Sequence, residues 1–172
     1  MTVLGLDPAI RTTGYGVIQF DGTLWRILDC GVIKNSPSMR HSECVRRLYG
    51  GIAELVAGFK PDAASMEEPF CGRNASTAII LGMARGAILS ALAVNNVPAY
   101  SYSPTKAKKA AVGSGSATKE QVALMMSASF GIESSMIPLD ATDALALAVC
   151  HAQRAVNPEV ARSEERRVGK EC

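Results

Sequence analysis

Residues 3–18, VLGLDPAIRTTGYGVI, carry a single carboxylate, Asp7, out of an apolar run and into a turn rich in Gly, Thr and Pro. The run Val3-Leu4-Gly5-Leu6 is too apolar for a strand with one wet face and too short for a buried helix, so it predicts a central strand. Asp7-Pro8 ends it. A carboxylate left charged and alone at that depth would cost roughly several kcal/mol, so Asp7 demands a cation, a partner or water. The rest of the chain can be read as meeting that demand.

Residues 14–20 alternate well enough for a second strand, Asp21-Gly22 is a strong hairpin signal, and residues 24–34 pair back as a third strand. Three antiparallel strands in sequence follow. Val45, Leu48, Ile52, Leu55, Val56 and Phe59 recur at helical spacing through residues 42–60, and Pro61 ends that helix. Residues 62–70, DAASMEEPF, form another buried strand with Glu67 and Glu68 at its end, only one of which can share a face with Asp7. Asn74 caps a long helix to about residue 96 that is apolar on nearly every face, with Gly82 and Gly86 in it. Such a helix is either a subunit interface or sunk in the core.

Residues 97–102 give a further strand. The following stretch, SPTKAKKAAVGSGSATKEQ, sets Lys106, Lys108, Lys109 and Lys119 against one acid, Glu120, and the ordinary reading of such a run is a solvated face. It is not a phosphate loop of the Walker type, because Thr118 stands where the second glycine must be. Thr118 with Gln121 instead starts a capped helix to about residue 130. The last helix, LDATDALALAVCHAQRAV, places Asp140 and Asp143 three apart on one face of its first turn, and its apolar positions should turn at least one of them toward the sheet.

At 172 residues the chain suits one domain, spanning residues 1–157. The net charge of +2 means that any nucleic-acid binding must come from clustered Lys and Arg. The five cysteines are odd in number and form no CxxC pair, as expected of reduced thiols in a cytoplasmic protein. No signal peptide is expected and no apolar run is expected to span a membrane, since Thr77, Arg85 and Ser90 interrupt the longest one. Residues 158–172 are expected to be a disordered tail. Within it residues 162–172, RSEERRVGKEC, look like the translation of a sequencing-library adapter and are set aside as non-native.

Asp7, Glu67, Asp140 and Asp143 stand at strand ends or on the helix that should cover the sheet. Carboxylates gathered without His or Cys make a hard, oxygen-only site suited to magnesium or manganese. Two such ions about 4 Å apart can activate water and stabilise a leaving oxygen, the device of many nucleases. His41 is expected at the surface and His151 partly buried, and no Ser/His/Asp or Cys/His set can be defended from spacing.

The order of elements resembles the ribonuclease H fold, an α/β architecture with a mixed central sheet of about five strands flanked by helices. More closely, GLDPAIRTTGYGV, MEEPF followed by RNAS, LGMARGA, VGSGSATKEQV and DATDALALA resemble, in order and spacing, the RuvC family of Holliday junction resolvases. The resemblance covers about residues 2–155. It implies that Asp7, Glu67, Asp140 and Asp143 are the catalytic acids and bind two divalent ions, and it selects Glu67 over Glu68. It also implies a catalytic and DNA-contacting role for Lys119, DNA contact by Lys108, base stacking or wedging by Phe70, and backbone contact by Arg73 and Asn74, with Lys106 and Lys109 weaker candidates. Where the family commonly has Gly-Ser after the Asp-Pro, this chain has Ala9-Ile10, and Cys71-Gly72 is an unusual lead into the long helix.

The expected function is therefore a homodimeric, metal-dependent endonuclease that resolves four-way DNA junctions by paired nicks, leaving a 5′-phosphate, in recombination and repair. A branch-migration helicase complex is the further partner that the resemblance suggests. A non-catalytic alternative is a resolvase-like nucleic-acid-binding protein that keeps the fold without cleavage. Sugar kinases and actin-like ATPases share the strand-and-turn opening but need two such domains and a second phosphate loop.

Overall fold

Two-residue alternation along the first strand organises both faces of the molecule. The computed structural model describes residues 1–68 and 74–156. Its elements are β1 (Thr2–Asp7), β2 (Thr12–Phe20), β3 (Trp25–Lys34), α1 (His41–Phe59), β4 (Ala63–Glu67), α2 (Ala75–Val94), β5 (Ala99–Tyr102), α3 (Pro104–Val112), α4 (Lys119–Phe130), a 3₁₀ turn (Ser134–Met136) and α5 (Leu139–Val156). The five strands form one sheet in the order β3-β2-β1-β4-β5. β1 pairs antiparallel with β2, and β2 with β3, while β4 runs parallel to β1 and β5 parallel to β4. This is the mixed, helix-flanked sheet that the motif order implied.

On one face Leu4, Leu6, Val17, Ala64 and Met66 pack against Ile52 and Val56 of α1 and Ile88, Ala91 and Leu92 of α2. On the other face Val3, Ile18 and Tyr102 pack under the buried stretch of α5, with α3 and α4 adding Ala107, Val122 and Met126. β1 is buried on both faces, which is why its sequence reads as a continuous apolar run.

Three expectations need correction. Residues 103–121 are not only a solvated run, because α3 forms there. Ser103 accepts from the Lys106 amide at 3.4 Å, Pro104 starts the helix, and Gly113 closes it in the left-handed region at φ 78°. Second, α2 is by length and composition long and apolar enough to cross a membrane, with a mean hydropathy of 1.8 over its window, because Thr77, Arg85 and Ser90 dilute it too little. It nevertheless covers the sheet through Ala84, Ala87, Ile88, Ala91 and Leu92, and it is not sunk in the core, since Ile79, Leu89 and Val94 remain exposed. Third, His151 is more deeply buried than expected, at 7% exposure, its Nδ1 within 2.7 Å of the Tyr102 hydroxyl. Phe70, Cys71-Gly72, Arg73 and the tail lie outside the described residues.

Candidate active site

Glycines on β1 and β2 decide where the acids of α5 sit. Gly5 pairs with Gly16, and Asp7 with Gly14, so the three glycines share the face of Asp7. A Cβ on Gly5 would fall 1.9 Å from the Ala144 carbonyl oxygen, and one on Gly14 would fall 1.9 Å from that of Asp140. A Cβ on Gly16 would meet the Leu145 side chain at 2.5 Å. Helix backbone thus lies directly on strand backbone, an approach only glycine permits. The seat brings Asp140 and Asp143 over the end of β1, and the parallel β1–β4 pairing puts Glu67 on the same face.

The resulting field is strongly anionic. Asp7 has its carboxyl pKa pushed up to about 6, first by burial and then by Asp143, Glu67 and Asp140, with Lys119 opposing. Burial and then Asp143 also push Glu67 up, against Lys119, Arg85 and Lys108. Glu68, just beyond the end of β4, is exposed. Lys119 is the first residue of α4, fixed by the reciprocal bonds of Thr118 and Gln121, and its ammonium lies 3.0 Å from the Asp143 carboxylate. That hydrogen bond is the main reason the Lys119 pKa is raised. Among the described residues no three His, Cys, Asp or Glu side chains form a ready ion cage. The Lys119 ammonium already occupies part of the space on Asp143. The donor set nevertheless fits a hard divalent cation, which would offset both the burial and the mutual repulsion that raise the Asp7 pKa.

The remaining candidates separate clearly. Lys108, on α3, shares a cavity of about 200 Å³ with Glu67, Asp143, Ala107, Ala146 and Leu147. Asn74 is the N-cap of α2, its Oδ1 accepting from the amides of Ser76 and Thr77 at 3.0 and 3.3 Å, so only its amide nitrogen is free to reach outward. Ala9-Ile10 has a structural explanation. Ile10 packs among Cys44, Leu48, Ala84 and Ala87, its carbonyl accepts from Asn35 at 2.8 Å, and the Thr13 hydroxyl donates to the Ala9 carbonyl at 2.6 Å. The turn after Asp7 is thereby anchored to α1 and α2. Sequence reasoning missed Arg85 as a participant. Its signal was a lone charge in an apolar helix, which must find a partner.

Comparison with known proteins agrees with this geometry. The family model for crossover junction endodeoxyribonuclease RuvC matches residues 3–151. The RuvC of Chloroflexus aggregans is 41% identical over 155 residues, covering 90% of this chain and 94% of that protein. That of Chlorobaculum parvum is 43% identical over 155 residues, with 90% and 82% covered. The Thermus thermophilus RuvC structure superimposes with a TM-score of 0.80 at 38% identity over 90% of this chain and 95% of that one. The same protein in complex with Holliday junction substrate gives 0.80 at 36%, again over 90% and 95%. With its ribonuclease H-like sheet, its acids gathered at the end of β1 and these relatives over nine-tenths of its length, the chain belongs to the RuvC family of crossover junction endodeoxyribonucleases.

Proposed function

We propose that this chain cleaves four-way DNA junctions by divalent-metal-dependent hydrolysis, with Asp7, Glu67, Asp140 and Asp143 as the metal-holding carboxylates. The observation that carries the reading is the convergence on the buried Asp7 of acids from β4 and α5, burial first and these acids second pushing its pKa up to about 6. Magnesium or manganese, two ions per site, suits an all-oxygen donor set. When bound, such ions supply a polarised water and neutralise charge on the leaving oxygen. Lys119 then contributes a second positive charge beside the phosphate once it releases Asp143, and Lys108 faces the same cleft from α3. Breakage of the P–O3′ bond leaves a 5′-phosphate and a 3′-hydroxyl.

A two-fold symmetric junction presents two equivalent strands, so a homodimer with one site per subunit matches it. The exposed side of α2, with Ile79 and Leu89 above the open glycines Gly82 and Gly86, offers the apolar, close-packing surface a second copy requires. Phe70 and Arg73 belong to the reading as DNA-contacting residues on family grounds, as does Asn74 through its free amide. A cytoplasmic location and a branch-migration helicase complex as partner complete it. The experiment is incubation of the protein with a synthetic mobile four-way junction and with linear duplex of the same sequence, in magnesium and in chelator. Paired nicks confined to the junction and to magnesium are expected. Tight junction binding with no nicking in magnesium or manganese would instead favour a non-catalytic junction-binding protein.

A further inference from the structure

Arg85 is the one charged residue among the 20 of α2. It is half-buried, and its guanidinium spans two strand ends: one terminal nitrogen donates to the backbone carbonyl of Glu67, the other to the Ser101 hydroxyl at 2.7 Å. Glu67 is the last residue of β4, and Ser101 sits beside Met66 in the parallel β4–β5 register. From Ser101 the chain needs only Tyr102 to reach Ser103, the cap of α3, and α3 carries Lys108. Glu67 and Lys108 face each other across the cavity of about 200 Å³ whose third charged wall is Asp143. One planar, rigid group thus ties the main chain at Glu67 to the strand that leads into α3.

We infer that Arg85 is a positioning residue, which holds the Glu67 end of β4 and the lead-in to α3 at a fixed separation and so sets the width of the cleft between Glu67 and Lys108. The chemistry favours arginine for this task. A guanidinium presents its donors in a fixed fork and can satisfy two acceptors at a defined spacing, whereas a lysine ammonium is a single flexible point of charge. Arg85 reaches Glu67 through its main-chain carbonyl and not through its carboxylate. Its effect passes through Glu67, where a displacement of about 1 Å can cost on the order of 10²-fold in rate.

The inference rests on Glu67 being a site acid, so the test carries a control for that reading. Arg85→Lys, Arg85→Ala, Ser101→Ala and Glu67→Gln are compared in the full chain. The measurements are thermal melting, junction affinity in chelator, manganese binding by calorimetry without DNA, and single-turnover cleavage against magnesium concentration. Arg85→Lys is expected to melt close to the parent and bind the junction within about threefold, yet to cleave about 10- to 100-fold more slowly and to bind manganese more weakly, as losses behind a ligand commonly do. Ser101→Ala, which removes one arm of the fork, should show the same pattern at smaller amplitude. Parental rate and manganese affinity in Arg85→Lys, with Glu67→Gln inactive, overturn the inference. So does an Arg85→Ala variant that loses melting temperature, binding and cleavage together while Arg85→Lys behaves as the parent, because that marks packing alone. Full cleavage by Glu67→Gln overturns the reading of the site instead.

Discussion

The two faces of the sheet are built from alternate residues of the same strands and solve opposite problems. Beneath α1 and α2, β1 and β4 offer Leu4, Leu6 and Met66, all with no exposure, and the contact is side chain against side chain. Beneath α5 the neighbouring positions are Gly5, Asp7, Gly14 and Gly16, and at Gly5 and Gly14 the contact is backbone against backbone. The second face brings the carboxylates together, at a cost visible in the raised pKa of Asp7. One face is given over to packing, whereas the other combines a packed core with a site that costs stability.

The sharpest way to break that contrast is Asp7→Asn, which should remove junction cleavage by at least ~10²-fold while leaving binding in chelator nearly intact. It should also stabilise the metal-free protein. The folded pKa of Asp7 is raised from 3.8 to about 6, so the native state binds the proton more tightly than the unfolded chain. Stability from this group is therefore full below about pH 4 and is lost as pH rises through about 6, a difference of up to about 3 kcal/mol. Melting curves of parent and variant should diverge across that window in chelator and reconverge with magnesium at neutral pH. A constant gap from pH 4 to 7 would sink the argument.

Next in size is Leu6→Ala on the opposite face, expected to cost about 2–5 kcal/mol of stability by denaturant unfolding. Its cleavage per folded molecule should stay near the parental rate. Gly14→Ala should do the reverse. Its new methyl collides with the Asp140 carbonyl and lifts the first turn of α5, lowering cleavage by about 10²-fold with a smaller loss of stability. If the two variants show the same ratio of stability loss to activity loss, the division of labour between the faces is wrong. The smallest effect is expected from Lys108→Ala with Lys119→Ala. Junction affinity should weaken, and its dependence on the logarithm of salt concentration should flatten by about 2 if both lysines contact phosphate. An unchanged slope together with unchanged cleavage would remove both lysines from the DNA-contacting set.

Much of the fold was legible because local signals agreed with the tertiary arrangement. The apolar run of β1, the Asp21-Gly22 turn, the α1 stripe ended by Pro61 and the Thr118/Gln121 box all describe structure within a few residues of themselves. The helix at α3 was hidden because its lysines swamp the apolar period, leaving Ala107 as its buried anchor. Ser103-Pro104 at one end and Gly113 at the other were nevertheless start and stop signals. In the site, alternation allowed only one of Glu67 and Glu68 to share a face with Asp7 and three-residue spacing paired Asp140 with Asp143, while the family resemblance selected Glu67. The grip of Arg85 could not be found, since it joins residues 18 and 16 positions away through tertiary contact. Nor could the glycine seat. In sequence Gly5, Gly14 and Gly16 are simply small residues within strands, and only the helix lying across them reveals what their missing side chains are for.

That seat has a consequence for how the protein responds to heat and to change. Side chains in a core hop between rotamers, and a helix resting on them inherits their wander. α5 rests at Gly5 and Gly14 on main-chain atoms that have no rotamers to exchange. The height of Asp140 and Asp143 above Asp7 is thus referenced to covalent geometry, as a lens is referenced to a machined shoulder and not to a gasket. The hydrophobic residues around it can be repacked over generations without detuning the spacing of the acids, whereas a single added methyl at the shoulder detunes it at once.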